Sequence, residues 1–148
     1  MELLVAVDGS EESNRALAYA TDIANATGGS ITVIHAIEPD IYDAGGGEPI
    51  SGSDRRDRLV IDSLDAAEEH GRAIIDEAIE FAAERGQTVS GELLYGKPAK
   101  RIPEYAEKGE FDTLYVGHRG WSERTIEFLG SVARDVVERT TIPVTVVR

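Results

Sequence analysis

The chain has 148 residues, the length of a single domain, and no cysteine, which excludes a disulfide framework, a thiolate metal site and a cysteine nucleophile. Its 28 acidic residues against 15 basic ones give a net charge of −13, a field that repels nucleic acid and anionic lipid. No run approaches the roughly 18 apolar residues of a membrane helix and no basic, apolar leader opens the chain, so a soluble cytoplasmic protein with an acidic, halophile-like surface is expected.

Leu3 to Val7 is a short apolar run ending at Asp8-Gly9-Ser10, the pattern of a buried strand that opens into a turn. Ser10 supplies a cap and Glu11-Glu12 early acids, after which Ala16, Leu17, Ala20, Ile23 and Ala24 recur at helical spacing until Gly28-Gly29. Ile31 to Ile37 is β-branched and continuous rather than alternating, as in a parallel strand covered on both faces. From Glu38 to about Ser53 the prolines and glycines predict a long surface loop. Leu64, Ala67, Ile74, Ile75, Ala78, Ile79 and Ala82 then define a helix that Gly86 ends, its start open to as early as Asp54.

Thr88 to Tyr95 is only partly apolar and predicts a third strand at a sheet edge. Pro98 starts a short helix with Ile102, Tyr105 and Ala106 on one side, and Thr113 to Gly117 is a fourth strand. Val132, Ala133, Val136 and Val137 stripe a last helix, and Pro143 to Val147 closes the chain as a fifth strand. Regular alternation of strand and helix predicts one open five-stranded parallel sheet with helices on both faces. In such sheets ligands bind beyond the carboxyl ends of the strands, where the strand order reverses.

Directly after the fourth strand comes Gly117-His118-Arg119-Gly120, and Gly130-Ser131 opens the last helix after nine intervening residues. Glycines let backbone N–H groups approach phosphate oxygens, and a helix N-terminus offers unpaired donors and about half a positive charge. The spacing G-x-x-G-x9-G-S is neither the Walker pattern, with its lysine, nor the G-x-G-x-x-G fingerprint.

With this motif the chain resembles the universal stress protein family, in particular its ATP-binding branch. Val5-Ala6-Val7-Asp8-Gly9-Ser10, His35-Ala36, Gly96-Lys97-Pro98 and Ile142-Pro143-Val144-Thr145-Val146-Val147 extend the resemblance over residues 1–148 as one domain. The resemblance implies an adenine-nucleotide-binding, Rossmann-like sheet of strand order 3-2-1-4-5. It also implies that the main chain at Gly117, Gly120, Gly130 and Ser131 cradles the phosphates of ATP, with Val132 beside them. Asp8 would face the ribose or a phosphate-bound Mg or Mn ion, Ala36 would meet the adenine edge, and Val7 and Val116 would line that pocket. Homodimerisation through Val144, Thr145, Val146 and Val147 is implied as well. His118 departs from the family, where serine is frequent at that position. Arg119 is a candidate phosphate partner through a charge-assisted hydrogen bond.

The residue types point to binding more than to turnover. No Ser, His and acid arrangement and no Walker lysine occurs, which leaves slow, metal-assisted ATP hydrolysis at most. The expected function is a nucleotide-dependent stress-response or signalling module. A nucleotide-free, protein-binding dimer is the alternative. An adenylating or nucleotide-hydrolysing enzyme of related fold would show Ser-Gly-Gly-x-Asp-Ser after the first strand, where this chain has Asp8-Gly9-Ser10-Glu11-Glu12-Ser13. Of the remaining polar residues, His35 reads as a hydrogen-bonded core histidine and His70 as solvent-facing.

Overall fold

The computed structural model describes residues 1–38, 53–119 and 129–148, and for 53–63 the backbone alone. Five strands, β1 (Glu2–Ala6), β2 (Ser30–Ile37), β3 (Ser90–Tyr95), β4 (Thr113–Gly117) and β5 (Val144–Val147), form one sheet in the order β3-β2-β1-β4-β5. Every pairing is parallel, with Val5 opposite Val33 on one side of β1 and Tyr115 on the other. This is the architecture expected from the alternation of strand and helix.

Among the described residues four helices connect the strands: α1 (Glu11–Thr27), α2 (Ser53–Glu84), α3 (Pro98–Lys108) and α4 (Ser131–Arg139). Each starts and stops for a local reason. Ser10 caps α1 by accepting a hydrogen bond from Ser13 N–H, and Gly28 closes it in the left-handed conformation. Pro98 opens α3, where a missing N–H costs nothing. α2 ends where Gln87 N–H reaches back to the Ala82 carbonyl at 2.9 Å. The loop expected from Glu38 to Ser53 lies almost entirely outside the described residues, and the helix after it begins at Ser53, next to the earliest start expected.

Successive side chains of β1 point to opposite faces. Leu3, Val5 and Val7 join Leu17, Ala20, Ile74, Ile75 and Ala78 in one buried cluster beneath α1 and α2. Leu4 and Ala6 join Ile34, Leu114, Ile102, Ala133 and Val136 in a second, beneath α3 and α4. Two covered faces explain why the central strands read as continuous apolar runs. The edge strands differ: β3 exposes Ser90, Gly91, Glu92 and Tyr95, and every residue of β5 is half-buried. Strand order reverses between β1 and β4, which places a crevice at their carboxyl ends. Among the described residues no helix is long and apolar enough to cross a membrane.

Candidate functional site

The turn from β1 into α1 is braced by its own polar side chains. Asp8 Oδ1 accepts from Ser10 N–H at 2.9 Å, and Ser13 Oγ accepts from Asp8 N–H at 3.3 Å while donating to the Ser10 carbonyl at 3.1 Å. Ser13 is buried, so this hydroxyl fixes the turn from inside. Asp8 serves the turn, as an Asp before Gly commonly does, and also lines the crevice.

Across the crevice the segment after β4 is held on two sides. His118 N–H donates to the Val147 carbonyl at 2.6 Å, extending the ladder to β5, and the His118 carbonyl accepts from Gly130 N–H at 2.9 Å. The bend after β4 and the start of α4 are therefore in direct contact. Space for a side chain is short at both, most sharply at Gly117. A Cβ on Gly117 would lie 2.9 Å from the Glu12 carbonyl carbon and 3.0 Å from Ser13 N, and one on Gly130 would lie 3.0 Å from the Arg119 Cα. Both bends are pressed against backbone, which cannot yield as a flexible side chain can.

Ala6, Asp8, Ser13, Val116, Gly117, Arg119, Val132 and Ala133 line a pocket between these elements. It sits at the reversal of strand order, with the start of α4 opening into it. Five of the residues singled out in the sequence, Asp8, Val116, Gly117, Arg119 and Val132, meet there. Gly130 adjoins them through His118, and exposed Ser131 follows in the first turn of α4. Gly120 lies outside the described residues. Val7 and Ala36 are not in the lining: Val7 is buried under α1 and α2, on the sheet face opposite Val116, and Ala36 is buried on β2 beside Leu94. Among the described residues no group of three or more His, Asp or Glu could hold a metal unaided.

One feature escaped the sequence. Arg119 Nε donates to Glu12 Oε1 at 3.3 Å, an ion pair that ties this lining residue to the first turn of α1, 107 positions away. His35 is the hydrogen-bonded core histidine expected from the sequence: Nδ1 lies 2.7 Å from the Val7 carbonyl at the end of β1, and the residue is 6% exposed. Burial holds this imidazole below its ordinary pKa, against the Val7 carbonyl and the Asp8 charge, which both push it up.

The model of the universal stress protein family matches residues 1–148. The chain belongs to that family. The universal stress protein YxiE of Bacillus subtilis is 31% identical over 150 residues, spanning 99% of this chain and 98% of its own length. The solved structure of universal stress protein UspA from Lactobacillus plantarum superposes with a TM-score of 0.82 at 25% identity, over 100% of this chain and 97% of that one. A universal stress protein solved in complex with cAMP is 26% identical, with a TM-score of 0.68 and coverage of 100% and 96%.

Proposed function

We infer that this universal stress protein binds ATP in the crevice between β1 and β4 and acts as a nucleotide-dependent stress-response module. The observation that carries the inference is the 2.9 Å hydrogen bond from Gly130 N–H to the His118 carbonyl, which brings the two glycine bends of the motif to one pocket at the topological switch point. The phosphates take their donors from the start of α4 and from Arg119, and Gly117, Gly120 and Gly130 are assigned to the backbone cradle around them. The described walls leave about 10 Å³ of free space, room for about one water and well below the range for ligand pockets, so a nucleotide here requires the crevice to open. The adenine lies toward β2, where the Ala36 backbone offers its edge. A relative of this fold in complex with cAMP supports an adenine nucleotide.

Asp8 fits a cation that arrives with the phosphates. Magnesium is commonly held by one or two carboxylates plus phosphate oxygens, and Asp8 is the carboxylate in the described pocket lining. A bound cation would supply charge neutralisation of the tail, and Asp8 would orient it from the braced turn. The role proposed for the site is occupancy sensing, with at most slow hydrolysis.

The edge of β5, Val144 to Val147, completes the proposal as a homodimer interface. The test of the site is to denature freshly purified protein, identify released nucleotide by chromatography, and compare wild type with Val132→Trp, whose side chain fills the pocket. Adenine nucleotide in the wild type and its loss in the variant is the expected result. Equal content in both rejects the site.

A further inference from the structure

Glu12 is paired with Arg119 of the pocket lining, and its neighbour on the same helical turn shows how unusual its placement is. Acids in the first turn of a helix are ordinarily explained by the helix dipole. Glu11 fits that explanation: its side chain is 77% exposed and pairs with Arg15 at 2.9 Å along the helix. Glu12 is 18% exposed and turns instead to Arg119, which lies on another element and is itself 27% exposed. Its stem has little room to retreat, because the chain at Gly117 is packed against the Glu12 carbonyl carbon and Cβ. Among the described lining residues Arg119 is the one cation, and Glu12 engages it.

We propose that Glu12 is a charge filter which sets the preference of the site among adenine nucleotides by the charge on their phosphate tail. The proposal rests on the nucleotide-binding function above. A tail that recruits Arg119 must draw it from Glu12, leaving a carboxylate that faces the phosphates from a partly buried position. Like charges there repel, and the repulsion grows with each negative charge on the ligand. A cyclic monophosphate meets least of it and a triphosphate most. A divalent cation on the tail cancels the difference, since it is the largest local charge in such a site. Specificity of this kind comes from a repulsive element as much as from an attractive one.

Titration calorimetry on the full chain with cyclic AMP, AMP and ATP in chelator, and with ATP plus magnesium, separates the outcomes. Glu12→Gln keeps the size and an acceptor for Arg119 but removes the charge, and Glu11→Gln removes the same charge one residue away. Glu12→Gln is expected to tighten metal-free ATP relative to AMP by about tenfold or more, with Glu11→Gln near wild type and magnesium narrowing the gap. An unchanged ATP-to-AMP ratio in Glu12→Gln, or an equal shift in Glu11→Gln, overturns the filter while nucleotide binding stands. If neither wild type nor variant binds any adenine nucleotide, the nucleotide site itself is rejected and the filter with it.

Discussion

His35 links the stability of the β1 terminus to pH. Its Nδ1 meets the Val7 carbonyl at 2.7 Å, just before the turn that presents Asp8, so the imidazole supports the floor of the crevice. Burial lowers its pKa from 6.5, with Asp8 pulling upward and His70 adding to the lowering. Because the folded value lies below the unfolded one, the unfolded chain takes up the proton first. Stability is therefore unaffected well above 6.5 and declines as pH falls from there toward the folded value. Urea unfolding of wild type and His35→Asn between about pH 7.5 and about pH 5.5 tests this. The amide can still donate to Val7 but does not titrate, so the variant should lose less stability over that window. Parallel slopes would remove His35 as the source.

At the scale of elements, the β1–α1 connection shows how a small cap reaches the site. Ser10 Oγ accepts from Ser13 N–H at 3.2 Å and Ser10 N–H is held by Asp8, so one serine joins the helix start to the pocket wall. Ser10→Ala is expected to cost about 1 kcal/mol of stability in urea unfolding, the usual worth of an N-cap, and to weaken nucleotide binding as the Asp8 turn loosens. Unchanged stability would show that the turn is held by Ser13 alone. This connection was legible in the sequence because capping and turn chemistry are local. So was the sheet: two-sided burial leaves continuous apolar strands at β1, β2 and β4, and the mixed composition of β3 marked an edge. Strand ends were less legible. Val7 and Val89 are apolar and buried yet lie outside β1 and β3, although Val7 N–H still donates to the Ile34 carbonyl of β2 at 2.9 Å. The Glu12–Arg119 pair was hidden for a different reason: its partners meet only through the β1–β4 adjacency, and no sequence period encodes a contact of that separation. Gly117 had been assigned to phosphate approach. The structure adds a packing requirement against Glu12 and Ser13, and the two demands coincide at one residue.

At the scale of the molecule, the proposed dimer interface depends on the outer edge of β5. The Pro143 and Val147 carbonyls accept from Leu114 and His118 N–H, so the odd-numbered residues of this parallel strand face β4. Val144 and Val146 therefore turn their N–H and C=O groups to the open edge, a row that another strand can pair with. Their side chains pack on the cluster beneath α3 and α4, so a charged residue there would disturb the core as well as the edge. Val146→Pro is the sharper change. It removes an outward N–H while leaving the β4 ladder its donors, and proline is tolerated on edge strands. Light scattering should show the wild type as a dimer and Val146→Pro as a monomer with a melting profile that remains cooperative. The protomer charge of −13 adds a second expectation: two such chains repel, and the wild-type dimer should tighten as salt screens that repulsion. A variant that keeps the dimer mass would move the interface away from the β5 edge, and a wild type that is monomeric at high salt would remove the interface altogether.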